Sequence, residues 1–202
     1  MRTRPLKGGA LAVLLGLGAC ATRPGLGGAV QQGQVQRVET YLNGLHGVRA
    51  HFVQTWPDGG TGGGTMAYDP GHMRLDYVSP HGMQMVAGEG HLTLHDDQNG
   101  SLTRVALSRN PLGMLLRVPL HLSGDIRVTA VQAQPGSLQL TLVRTDAPTE
   151  GALTLTFSDS AGQLALVGLQ GVDARQHRIV LHLTDVTEGA TLPASLFTPP
   201  SG

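Results

Sequence analysis

The sequence predicts a mainly β (α+β) fold: an extended antiparallel sheet of about ten to eleven strands, preceded by an amphipathic helix and interrupted by a short helical insert. Three observations predict it. Apolar and polar residues alternate in segment after segment between residues 49 and 186, the period of strands with one covered face. Gly, Pro, Asn and Asp punctuate these segments at short intervals, as antiparallel turns require. Ahead of the first strand, Val35, Val38, Leu42 and Leu45 are spaced by three and four residues, the stripe of one helix face.

The chain opens with a secretory leader. Arg2, Arg4 and Lys7 form a positive end, an apolar run follows from Leu11 to Leu17, and small residues come next. The run is far shorter than the roughly 20 residues that span a bilayer, so cleavage is expected rather than retention. Two cleavage patterns overlap. Leu17-Gly18-Ala19-Cys20 fits the bacterial lipobox and would make Cys20 an acylated N-terminus, whereas Ala19-Cys20-Ala21 fits the small-x-small pattern of ordinary signal peptidase and would discard it. The expected organisation is a lipoprotein-type signal peptide over 1–19, a flexible Gly/Pro/Gln-rich tether over 20–34 and one domain over 35–202. Both routes place the domain outside the cytoplasm. Cys20 is the single cysteine, so the mature domain has no internal disulfide and must hold by its core.

Charge excludes one class of function. The leader holds three of the 14 basic residues and none of the 14 acidic ones, leaving the mature chain slightly acidic, without the basic surface that phosphate binding needs. No nucleic-acid partner is expected.

The helix from Val35 ends near Gly44 or Gly47. Strands are then expected at 49–56, 64–68, 72–78, 82–87 and 91–95, and again at 125–132, 137–144, 152–158, 163–170 and 177–186. Between the two sets lies 108–120, with Pro111 placed to start a short helix and Pro119 to stop it. A sheet this extended, with so few helices, either closes on itself or wraps around something.

Methionine usage bears on which. Beyond the initiator, all five methionines fall between 66 and 114, as Met66, Met73, Met83, Met85 and Met114. Met73 alternates with Leu75 and Tyr77, and Met83 with Met85, so each set shares a strand face. Methionine fills irregular space and re-packs readily, which suits either a loosely filled core or a cavity for apolar ligands.

An enzyme would rest on the nine histidines, of which His91 and His95 share a strand face beside Asp96 and Asp97. Two residues four apart on a strand are some 13 Å apart, too far to share a metal ion. No nucleophile elbow, Cys/His pair or phosphate loop accompanies them. Neither catalysis, a metal nor a cofactor is expected.

Several segments, in order, carry a family resemblance: VQRVETYLNGLHGVRAHFVQTW (35–56), GTMAYDPGHMRLDYVSP (64–80), GEGHLTLHDD (88–97), LSRNPLGMLL (107–116) and LVGLQGVDARQHRIVLHLTDVTEGATLPASLFTPP (166–200). Together they resemble the outer-membrane lipoprotein carrier protein family, LolA. The resemblance implies an incomplete antiparallel β-barrel covered by short helices, whose apolar cavity shelters lipoprotein acyl chains across the periplasm. In that picture the methionine stripe is cavity lining under a lid carrying Leu112, Met114, Leu115 and Leu116, and alternation within each strand gives the expected lining as Leu42, Leu45, Met66, Met73, Leu75, Tyr77, Met83, Met85 and Leu94. A carboxylate placed at Met73 should then oppose ligand entry and spare the fold. The implied partners are acyl chains, an inner-membrane lipoprotein-releasing transporter and an outer-membrane acceptor, and a monomer is expected.

Two departures from the family pattern matter. Asp69 stands before Pro70, where many members carry an arginine that pins the lid, and Arg74 occupies an outward strand position. The chain also stops at Gly202, soon after the Phe-Thr-Pro-Pro close, so a C-terminal hook is not expected. A lipidated Cys20 would add membrane contact and resembles the anchor of the sister family LolB, an outer-membrane lipoprotein receptor. A tethered binder of another lipid is a further alternative.

Overall fold

The computed structural model describes residues 26–199. The expected signal peptide over 1–19, Cys20 and the start of the expected tether lie outside the described residues. The first element, α1 (Leu26–Gly44), begins nine residues before the apolar stripe does. Residues 26–34 are therefore helical, which corrects the expectation of a flexible tether there. Residues 28–33 stay exposed, and with Gly27, Gly28 and Gly33 opposing the helix, this half continues the packed half of α1 rather than standing on its own propensity. The second half carries the predicted stripe, with Val38 and Leu42 buried and Leu45 just beyond the helix end.

Eleven antiparallel strands follow: β1 (Val48–Thr55), β2 (Thr61–Asp69), β3 (His72–Ser79), β4 (Met83–Gly88), β5 (His91–Asp96), β6 (Ser101–Ala106), β7 (Ile126–Gln134), β8 (Gly136–Arg144), β9 (Gly151–Ser160), β10 (Gln163–Asp173) and β11 (Arg178–Thr187). They form one sheet in the order β6-β5-β4-β3-β2-β1-β11-β10-β9-β8-β7, with β6 and β7 as its two edges. The sheet is not closed.

Strand β6 was not predicted. Nearly all of it is exposed, so no buried face imposes alternation on its sequence. The helical insert is also different in kind. It consists of two 3-10 turns, Leu107–Arg109 and Pro111–Met114, rather than one α-helix. Gly113 lies so close to the Leu107 carbonyl that any Cβ would collide with it, which sets the tight path between the turns.

The core lies on one face of the sheet. From β1, Val48, Ala50 and Phe52 point inward; from β8 and β9 come Leu138, Leu140, Leu142, Leu153, Leu155 and Phe157. The helix stripe drops onto these rows, and polar contacts fix its angle. The Arg37 guanidinium donates to both oxygens of Asp159 at 2.7 and 2.5 Å, which holds that carboxyl below its ordinary range. The Tyr41 hydroxyl donates to Glu188 at 2.7 Å and accepts from the Leu166 N–H, where β10 bulges against β9.

On the opposite face, the 3-10 turn Ala194–Phe197 packs over β3 and β4. Arg74 does face outward, as expected. It pairs with both oxygens of Asp76 and donates to the Leu196 carbonyl at 2.9 Å, tying down the C-terminal segment rather than the lid. Asp69 accepts from the Gly47 N–H at 2.9 Å and so caps the turn between α1 and β1. At Gly47 a positive φ of 57° and contact with the Ala190 carbonyl leave room for glycine alone.

Candidate functional site

The gap between β6 and β7 is spanned by residues 107–125, and this crossing builds the site. Asn110 accepts from the Leu112 N–H at 2.9 Å and Pro111 takes the first position of the turn, so the Pro111–Met114 turn is capped locally. The turn points Leu112 over a cavity of about 220 Å³. Beyond it, Met114, Leu115 and Leu116 are buried in the core.

The cavity has an apolar wall and a polar collar. Leu75, Met85 and Leu92 line it from one half of the sheet, Leu153, Leu169 and Leu181 from the other, with Pro111 and Leu112 as a roof. Asn110, Asp173 and His177 form the collar, and Gln54 is the one polar side chain on the wall inside it. Asp173 and His177 close the β10–β11 turn, with Nδ1 of His177 3.1 Å from Oδ2 of Asp173. Burial works to raise the Asp173 carboxyl, but the N–H groups of His177 and Arg175 outweigh it and hold the group below its ordinary range.

Two sets of hydrogen bonds hold the crossing down. At its far end, the Asn43 side chain donates to the Leu120 carbonyl at 2.8 Å and accepts from the Leu120 N–H at 2.9 Å, replacing a missing strand partner. Glu39 accepts from the Leu122 N–H at 2.7 Å and lies 3.6 Å from His121. At its near end the only side chain among the described residues that grips the first turn from outside is Arg144, which donates to the Ser108 carbonyl. Arg144 also forms a two-point pair with Asp146 on the neighbouring turn, which lowers that carboxyl from its ordinary range.

Of the residues singled out from sequence, Leu75, Met85 and Leu112, the last expected in a lid, border the cavity. Leu42, Leu45, Met66, Met73, Met114, Leu115 and Leu116 are buried in the core and do not border it. Tyr77 is buried behind Gln54, and Met83 and Leu94 are half-buried against the core. Sequence reasoning missed Gln54 and the leucines of β9, β10 and β11. The signal for Gln54 was present: it is the polar end of the inward series Val48, Ala50, Phe52.

A larger hollow, about 940 Å³, lies between the exposed half of α1 and the start of β7. It is an open groove walled on one side by Gln31, Gln32 and Gln36, and it contains none of the residues read as ligand-binding. Among the described residues no three His, Cys, Asp or Glu side chains converge on a metal position, and no helix is long and apolar enough to cross a membrane.

Comparison with known proteins adds a family. The model of the family described as Outer membrane lipoprotein carrier protein LolA matches residues 43–200. No curated protein sequence matches the chain. Among solved structures, an uncharacterized conserved protein from Thermus thermophilus is similar with a TM-score of 0.47 and 13% identity, covering 85% of this chain and 94% of that one. Lipoprotein LppX of Mycobacterium tuberculosis is similar with a TM-score of 0.43 and 9% identity, over 82% of this chain and 99% of that one.

Proposed function

The chain belongs to the LolA family of outer membrane lipoprotein carrier proteins, and from that premise we propose that it carries lipoprotein acyl chains through the periplasm in the cavity beneath residues 107–116. The observation that carries this reading is the apolar well roofed by Leu112 and walled by leucines from both halves of the sheet. Each methylene left in water costs about 0.8 kcal/mol, so a long acyl chain needs such a shelter to leave a membrane.

The cavity, at about 220 Å³, is smaller than the roughly 300–1,000 Å³ of ordinary ligand pockets. Loading therefore requires the roof to move. Arg144 is the releasable contact: when it lets go of Ser108, its charge stays paired with Asp146. Loading from an inner-membrane transporter and delivery to an outer-membrane acceptor belong to the same proposal.

The test is displacement of a fluorescent fatty acid from the purified domain by a diacylated lipopeptide. Displacement that is lost on Leu112→Glu supports the reading. No fatty-acid binding by the wild-type protein overturns it.

A second reading, an outer-membrane-anchored receptor, is favoured by Leu17-Gly18-Ala19-Cys20. With α1 starting at Leu26, the five residues between it and Cys20 reach at most about 18 Å, so an anchored domain would stand close to the headgroups. Mass spectrometry of the mature N-terminus decides it. A di- or triacylated Cys20 supports the receptor, and an unmodified N-terminus leaves a diffusing carrier.

A further inference from the structure

Gln54 is one of two polar residues in the buried set, 5% exposed at the inward end of β1. An amide in such a place is costly unless both of its ends are bonded. One end is. The Tyr77 hydroxyl donates to Oε1 of Gln54 at 2.7 Å. Tyr77 is itself fixed, edge-on to Phe52 with centroids 5.0 Å apart and stacked on Trp56 at 6.2 Å, so the carboxamide has a set orientation.

The other end is free. No described residue accepts a hydrogen bond from Nε2 of Gln54, although no sealed side-chain N or O atom among the described residues lacks a partner. Nε2 is therefore open, and the space that Gln54 borders is the cavity. The cavity is the space left to Nε2, whose neighbours along its row are Leu181 and Leu169.

The depth of this row is informative. Gln54 pairs with Leu181, and Leu181 with Leu169, so these three form one row of the wall. The next row toward the mouth is Gly171 and Ile179, and beyond it lie Asp173 and His177. Leu75 and Met85 complete the wall on the other side of Gln54. The Nε2 donors thus sit just inside the boundary between polar collar and apolar well. An acyl chain lying in the well with its head at the collar brings its carbonyl to this boundary.

We propose that Gln54 is a specificity residue whose Nε2 donates to the carbonyl oxygen of an ester- or amide-linked acyl chain. This selects acylated amphiphiles over plain hydrocarbon or ether-linked chains. The proposal rests on the cavity being the acyl-chain site. Tyr77 acts through Gln54 as a positioning residue.

The test compares 1-monododecanoylglycerol with 1-O-dodecylglycerol, which differ in the carbonyl alone, as competitors of a fluorescent fatty acid. The wild-type protein should prefer the ester roughly three- to tenfold, the worth of one neutral hydrogen bond. Gln54→Met, close in shape and without a donor, should bring the ratio to about one. Equal binding of both lipids by the wild type overturns the role of Gln54, as does a preference that survives Gln54→Met. Binding of neither lipid overturns the cavity reading itself. Equal binding by the wild type overturns the role even where the variant fails to fold.

Discussion

Met73 and Met85 share a face of the sheet, yet a glutamate should have opposite consequences at the two positions. Met73 is 1% exposed, between Tyr68 and Ala87 on the neighbouring strands, and borders no cavity. A carboxyl placed there finds no cation and no water, so it folds only in its neutral form. An unfolded glutamate ionises near pH 4.3, and holding the proton costs 1.36 kcal/mol for each pH unit above that value, about 3.7 kcal/mol at pH 7. For a domain of this size the melting temperature should fall by roughly 7–15 °C.

The sign follows from the proton count. The folded variant keeps a proton that the unfolded chain releases, so the loss grows as pH rises from about 4.3 and levels off only above the raised folded value. Met85, 8% exposed, borders the 220 Å³ cavity, where water needs only about 10–15 Å³ per molecule. Met85→Glu should keep a hydrated carboxylate, lose less than about a third as much melting temperature and abolish fatty-acid binding. Thermal melts of both variants from about pH 5 to about pH 8, with fluorescent fatty-acid titrations, make the comparison. Met73→Glu melting within about 2 °C of the wild type, or with no pH trend, would refute the division between core and cavity.

The two ends of the crossing over residues 107–125 should respond differently. Asn43→Ala strips both backbone groups of Leu120 of their partners and should cost about 2–4 kcal/mol, with faster hydrogen exchange at the Leu120 amide. Arg144→Ala should leave the melting temperature nearly unchanged while fatty-acid exit speeds up roughly three- to tenfold, measured by stopped-flow; unchanged exit would remove Arg144 as the latch. All three tyrosines of the chain are held neutral in the fold by burial, with Tyr41 and Tyr77 raised and Tyr68 pushed up to about 12. Because the unfolded phenols ionise near pH 10, stability should fall above that pH, by up to about 4 kcal/mol per unit and less for half-buried Tyr41. Phenolate absorbance rising near pH 10 without unfolding would contradict the burial of these rings.

Alternation in HMRLDYV and SLQLTLVR was legible because these strands have one covered face, and coverage is what selects for period two. β6 has no such face, and its edge position left no trace in the sequence. The first half of α1 was hidden for the same reason: it is helical without burying anything, so it has no stripe to read. Periodicity gives the face of a residue and not its depth. Met73 and Met85 have the same parity, and only the landing point of residues 107–116 makes one core and the other cavity wall. The far wall was further out of reach, because the rows occupied by Leu169 and Leu181 depend on the β-bulge between Leu166 and Gly168.

On the carrier reading, the roof must close without becoming permanent, and the placement of charge along the crossing suits that condition. The half of the crossing beside α1 is fastened by neutral and carboxylate contacts, through Asn43 to Leu120 and Glu39 to Leu122, and opening there would strand backbone groups. The half above the cavity is gripped by an arginine that already has a carboxylate partner on its own side of the gap. Releasing Ser108 leaves one carbonyl, exposed at residue 108, to be taken up by water, and leaves no charge unpaired. An arginine at position 69 would sit beside the Gly47 turn, where Asp69 is needed as an acceptor. With that position committed to the turn and Arg74 to the C-terminal segment, the rim at the end of β8 is where a reversible latch can be placed.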